Sequence, residues 1–334
     1  MTEIVSYKSL VQFNVILVIG TALSGLLGYF IVPQFLPIAS WDWISILAIF
    51  VGLPVLLAAV VYYYGWRYKR QVVIYNPPEW NFDPVLMTVD EAKKLPREYN
   101  QLNFRLVADS KFWMFFTPVI LLVLIPSIPV FSYLEDPGII EYSPLIFGIL
   151  FALLYSITQY GSFKSTSNTA SGDFTLPLIR EAVKLAKIQE KIEGVSKINV
   201  VLDKAEHGDF AIYDQPRVLI RISGIEKDGY IESWSDDLDA ITRILVRIYE
   251  TEDKPQVVWW WTSTDRNFRK YIHPDELGYY VKNPLKTKIA YPGVKDVRLV
   301  TETAVVLMIQ EYIKTRKESE TLQDIIDKIN AEYA

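Results

Sequence analysis

The polar positions along this chain leave four long gaps. No Asp, Glu, Lys or Arg occurs from Ser9 to Trp41, from Trp43 to Trp66, from Phe112 to Leu134, or from Tyr142 to Phe163. Crossing a hydrocarbon layer about 30 Å thick takes roughly 20 apolar residues at helical rise, so each gap predicts a transmembrane helix. The first gap exceeds the roughly 7–15 residue apolar core of a cleaved signal peptide, and a second span follows it closely.

Beyond the Ser/Thr/Gly-rich connector 162–175 the pattern shortens. Pro177 and Gly194 bracket a helix carrying Leu178, Val183, Leu185, Ile188 and Ile192 on its apolar positions. Ile198–Leu202, Phe210–Tyr213 and Val218–Ile222 are short apolar runs between charged or Gly/Pro turns and predict strands. Asp236 or Asp237 caps a predicted helix through Glu250, with Ile241, Ile244, Leu245 and Ile248 on one face. Gln256–Thr262 is a fourth strand, in which Trp259 and Trp261 face one way and Trp260 the other. Two amphipathic helices close the chain, marked by Val305, Met308, Ile309 and Tyr312, and by Leu322, Ile325, Ile326 and Ile329. The fold class is therefore a membrane α-helical region of four transmembrane helices plus a cytosolic α/β domain on a mixed sheet. The division falls at 1–164 and 165–334, with a cytosolic loop at 67–111.

Charge orients this arrangement. The loops 33–42 and 134–142 carry Asp42, Glu135, Asp136 and Glu141 and no Lys or Arg, whereas 67–111 carries eight basic residues. Positive loops stay cytoplasmic, so both termini are expected in the cytosol of a multi-pass cell-membrane protein. Within 67–111, Thr88-Val89-Asp90-Glu91 has capping-box spacing and starts a helix, which Pro96 is expected to break.

The spans contain little chemistry. Pro54, Pro118, Pro126 and Pro129 interrupt them, and Asn14 and Gln159 are amides that one interhelical hydrogen bond each would satisfy. Gly20, Ser24 and Gly28 form a small-residue stripe at i, i+4, i+8. Such a stripe permits close helix packing, inside the bundle or between copies.

The soluble half excludes several reaction classes. With no cysteine there is no disulfide, thiolate nucleophile or Cys-based zinc site. His207 and His273 stand in no chelating spacing, and neither a P-loop nor a nucleophile elbow occurs. The acidic group Glu232, Asp236, Asp237 and Asp239 reads as charge at a helix N-terminus. No catalytic, cofactor or metal residue is assigned.

The order helix, three strands, helix, strand resembles the restriction-endonuclease-like nuclease core over about 90 residues. That family implies a Gly and an acid on the second strand and a Glu-x-Lys on the third. Gly208 and Asp209 match the start, but Ala211 stands at the metal-binding position, and Arg221 and Ser223 replace Glu and Lys. Metal-dependent phosphodiester chemistry needs clustered carboxylates, which an Arg in their place opposes.

The stretch 262–298 gathers eight basic residues against four acids in a half whose net charge is negative, with tyrosines interleaved. Arg266, Arg269, Lys270, Lys282, Lys286 and Lys288 are the candidate anionic-surface residues. Anionic lipid ranks first as ligand, an acidic protein second and nucleic acid last. The expected protein is a multi-pass membrane scaffold whose cytosolic domain binds the bilayer and a protein partner or a second copy, without enzymatic activity. A channel or carrier with a regulatory domain is the first alternative. A degenerate nuclease-like domain acting near nucleic acid at the membrane is the second.

Overall fold

The computed structural model describes residues 4–36, 43–108, 111–133, 137–251, 254–265, 267–271, 280–281, 284–285, 294–316 and 320–333. Its principal helices are α1 (Val11–Leu26), α2 (Leu53–Val72), α3 (Val89–Leu102), α4 (Phe112–Tyr133), α5 (Pro137–Ser165), α6 (Ile179–Gln189), α7 (Val294–Thr315) and α8 (Glu320–Ala331). The strands are β1 (Val5–Tyr7), β2 (Val73–Tyr75), β3 (Asp83–Met87), β4 (Val195–His207), β5 (Phe210–Ile222), β6 (Gly229–Ser235), β7 (Ile241–Thr251), β8 (Lys254–Thr262) and β9 (Arg269–Lys270). They divide into two units, one of residues 1–78 with 100–175, the other of residues 79–99 with 176–334.

The first unit is a helix bundle. Val11–Phe35, Ile46–Val72, Phe112–Val130 and Glu141–Ser165 are long and apolar enough to cross a membrane. Helix α5 is central and packs on α1, α2 and α4. A buried cluster of Val32, Phe50, Leu121, Ile125, Phe147, Phe151 and Leu154 fills the interior. The prolines lie within or beside continuous helical residues. π-helical stretches at Leu27–Ile31 and Ile46–Gly52 precede Pro33 and Pro54, and α4 runs unbroken through Pro118, Pro126 and Pro129.

One lysine is fully buried in this unit. Lys69, beyond the second uncharged run but still within α2, directs its Nζ to the carbonyls of Phe104 and Val107, each at 3.3 Å, and lies 5.0 Å from the Phe163 ring. Gln159 on α5 is fully buried with neither amide atom hydrogen-bonded, so the expected interhelical bond is not made. Asn14 is exposed.

The second unit is a seven-stranded antiparallel sheet in chain order, β3-β4-β5-β6-β7-β8-β9. This corrects the mixed sheet expected from the sequence. Residues 236–250 do not form the expected helix. Asp236 caps a hairpin turn instead, its Oδ1 accepting the N–H groups of Leu238 and Ala240 at 2.9 Å, and β7 follows. Ile241, Thr242, Ile244, Val246 and Ile248 are β-branched, and alternate positions bury on one sheet face, so a period of two prevails over a period of 3.6. Without that helix, the element order that resembled the nuclease core is not present.

The loop before α3 also joins this sheet, since β3 pairs with β4 along Asp83–Met87. The capping box forms as its spacing predicts: the Thr88 N–H and Oγ1 both bond Glu91 Oε2, and the Glu91 N–H returns to Thr88 Oγ1. Helix α3 then continues through Pro96. Burial of Ala92 in the core, and of Tyr99 against the Tyr213 ring that packs on it, holds the helix past the missing N–H.

Helices α3, α6, α7 and α8 all contribute to one core, built on Val200, Leu202, Val218, Ile220, Ile231, Ile244, Val246, Trp259 and Trp261. A buried polar knot sits inside it. Gln189 Nε2 reaches both Ser233 Oγ and Thr301 Oγ1 at 3.0 Å, tying α6 and α7 to β6. Among the described residues, the opposite face of the sheet carries none of the core cluster.

Candidate functional site

Because strand side chains alternate, a strand with one face in the core presents its other residues as a set. On β5 that set is Arg217, Leu219 and Arg221; on β6, Tyr230, Glu232 and Trp234; on β7, Arg243, Leu245 and Arg247. The register aligns them. Leu219 pairs with Glu232, and Glu232 with Leu245. Trp234 pairs with Arg243, and Tyr230 with Arg247. Continued by one residue each way, the β5–β6 register sets Arg217 beside Trp234 and Arg221 beside Tyr230. The face thus bears two parallel rows, Arg217–Trp234–Arg243 and Arg221–Tyr230–Arg247, on either side of Leu219–Glu232–Leu245. Trp260 extends the middle row on β8, opposite Leu245.

The four guanidiniums divide along the diagonals. Arg247 Nε lies 2.9 Å from one Glu232 oxygen and Arg217 Nε 3.5 Å from the other, while Arg217 also holds Asp203 at 2.9 Å. The other two stack instead. Arg243 sits 4.0 Å from the centre of the Trp234 ring, and Arg221 lies 5.8 Å from that of Tyr230. Arg221 also donates to the Glu226 carbonyl. Neither Arg243 nor Arg221 pairs with a carboxylate among the described residues. Partial burial lowers the Arg243 pKa from its ordinary value; Glu232 opposes this, and Arg247 and Arg217 add to it. It nonetheless remains cationic at physiological pH. Burial, and next the Glu232 carboxylate, raises the Tyr230 phenol, which stays neutral and a hydrogen-bond donor.

The residues singled out from the sequence lie elsewhere. Arg269 on β9 stacks on Tyr280 at 4.0 Å and faces Trp260 at 5.6 Å, with Asp265 at 3.4 Å. Lys270 pairs with Glu311 on α7 at 2.7 Å. Both cations are internally partnered, and Arg269 adjoins the arginine rows through Trp260. Arg266, Lys282, Lys286 and Lys288 lie outside the described residues, as does His273. Trp259 and Trp261 are buried in the core and Trp260 is on the other face, as alternation predicts.

The small-residue stripe of α1 and the π-helical turn that follows it faces α5. A Cβ at Gly20 would collide with the Tyr155 ring and one at Gly28 with the Phe147 carbonyl, and Ser24 between them is buried. On α2, Gly65 is likewise closed by Ser162 and the Gln159 backbone of α5. All of this packing is within the bundle.

Sequence reasoning missed the arginine rows for one reason. Arg-x-Leu-x-Arg at 217–221 and at 243–247, with Tyr-x-Glu-x-Trp at 230–234, is a period-two signal. Reading 236–250 as a helix hid its third member. Among the described residues there is no group of three His, Asp or Glu able to hold a metal. No family model, curated protein or solved structure matches the chain.

Proposed function

We propose that this chain is a membrane-anchored binding protein, held in the bilayer by its four apolar helices and binding an anionic ligand on the face of its sheet that is turned away from the core cluster. The observation that carries the reading is the pair of Arg–aromatic–Arg rows. Five of the nine arginines in residues 165–334 (217, 221, 243, 247 and 269) lie on this face, in a half of the chain whose acids outnumber its bases. Guanidinium forks fit phosphate and carboxylate oxygens bidentately and stack on rings. They neither attack a substrate nor give up a proton near neutrality, so the face suits binding rather than covalent or acid–base chemistry.

The anchoring part rests on helix length and composition and on the basic loop 67–111, which favours a cytosolic location for both termini. Two experiments test the proposal. Cysteines introduced at Ser40 and Gly138 are expected to react with an impermeant thiol reagent in intact cells, and one at Ser319 is not; the reverse pattern inverts the topology. The full chain in neutral-lipid nanodiscs is expected to bind inorganic polyphosphate, with an affinity that falls steeply as salt rises. An affinity unaffected by Arg221→Gln with Arg243→Gln removes the sheet face as the site.

A further inference from the structure

We infer that the ligand of this face is single-stranded nucleic acid, with phosphates taken by the guanidiniums and bases stacked on the Arg–aromatic pairs. The inference rests on the anion-binding reading above and adds the identity of the anion.

Three features separate a nucleic acid from other polyanions. The first is repetition of two kinds of group at one spacing. Arg217 and Arg221, Trp234 and Tyr230, and Arg243 and Arg247 are each four residues apart on a strand, about 13 Å, and β5 and β7 are two strand spacings apart, about 10 Å. A ligand with phosphates alone would use the guanidiniums and leave the rings idle. A polynucleotide uses both, because phosphates and planar bases alternate along it.

The second feature is how the rings are held. Trp234 lies beneath Arg243, and both Tyr230 and Trp234 are only partly exposed. The Trp234 ring is covered by Arg243 and does not project freely to enter a bilayer, which argues against lipid. A guanidinium held over an indole makes a cationic platform, the kind of surface on which an unpaired base stacks.

The third feature is Glu232 at the centre. A carboxylate in the middle of a site for lipid phosphates or acidic peptides would weaken it. Nucleobases carry exocyclic amines, which a carboxylate accepts. One Glu232 oxygen is held only loosely, by Arg217 at 3.5 Å, and the side chain keeps about a tenth of its surface exposed.

The test uses the full chain in neutral-lipid nanodiscs and three probes at matched salt. They are a mixed-sequence single-stranded oligonucleotide, an abasic oligonucleotide of equal length and charge, and inorganic polyphosphate. The inference predicts about tenfold or greater preference for the oligonucleotide over its abasic counterpart. Trp234→Ala should erase most of that preference, lowering oligonucleotide affinity far more than abasic affinity. Arg221→Gln with Arg243→Gln should weaken both and lower the salt slope by about 1.4, roughly 0.7 for each phosphate no longer neutralised. The preference of the unaltered protein needs no variant, so misfolding of a variant does not decide the result. Equal, salt-dependent binding of all three probes overturns the nucleic-acid inference and leaves the anion-binding reading standing. Failure of all three to bind overturns both. Displacement of the oligonucleotide by anionic-lipid vesicles at lower phosphate concentration than by polyphosphate overturns the inference in favour of lipid.

Discussion

Replacing Glu232 by Gln should loosen the sheet and, on the proposed function, tighten anion binding at the same time. Glu232 is 8% exposed and receives Arg247 at 2.9 Å and Arg217 at 3.5 Å. Unit charges about 4 Å apart attract by roughly 4 kcal/mol at an effective dielectric constant of 20, before desolvation takes back much of it. Arg217 keeps Asp203 after the change, but Glu232 is the one carboxylate partner of Arg247 among the described residues. Breaking a fully buried pair costs about 3–5 kcal/mol. Arg247 is about one-quarter exposed, so the expected loss is nearer 2 kcal/mol. At 1.4 kcal/mol per tenfold, amide hydrogens of β5, β6 and β7 should exchange roughly 30-fold faster. Hydrogen-exchange mass spectrometry of the full chain in nanodiscs reads this locally. In the double variant with Arg247→Gln the two losses should fall short of additive by about 1–2 kcal/mol. Polyphosphate affinity should rise, because the negative charge between the two rows has gone. Unchanged exchange in β6 and β7, or strictly additive losses, would refute the reasoning that Glu232 holds the arginines in place.

Five further outcomes rest on particular side chains. Gly28→Leu should destabilise the α1–α5 packing, seen as faster proteolysis in detergent, with the oligomeric state by light scattering unchanged; loss of an oligomer with an intact bundle would make the stripe an intermolecular seam. Thr88→Ala should cost about 1 kcal/mol at the start of α3, read by exchange of its first-turn amides. The Thr88 N–H holds the Glu91 carboxyl below its usual range, so this bond stabilises α3 above the ordinary glutamate pKa and is lost as acidification passes the lowered value; Glu91→Gln should flatten that response. Burial, and next its bond to Glu302, raises the Tyr333 phenol above the tyrosine range, so its stabilisation is complete below the unfolded pKa of about 10 and declines as pH climbs beyond it, and Tyr333→Phe should remove this alkaline loosening of the C-terminal helix. Arg269→Gln with Lys270→Gln should lower the melting temperature by a few degrees, because both side chains are in ion pairs; an unchanged value would show these pairs to be without weight.

The local readings that succeeded are those in which a few neighbouring residues decide the outcome. Uncharged runs predict the four long helices because the length of an apolar segment is a property of the segment. The Thr88–Glu91 box and the opposite facing of Trp259 and Trp260 are likewise set within three residues. The readings that failed are those in which tertiary packing outvotes local pattern. Ile241, Ile244, Leu245 and Ile248 fit a helix face, yet the sheet offers pairing on both sides of β7, and strands on either side settle the choice. Pro96 should end a helix in isolation, but the burial of Ala92 and Tyr99 carries α3 through it. Lys69 stands outside the uncharged runs, and its burial depends on Phe104 and Val107, which lie 35 and 38 residues away. The arginine rows are the extreme case. Their members come from three strands, and no stretch of sequence contains them together. The alternation that turns each arginine outward is local, but only the register of β5, β6 and β7 sets the guanidiniums beside the rings and around Glu232, because cross-strand distance is fixed by pairing and not by position in the chain.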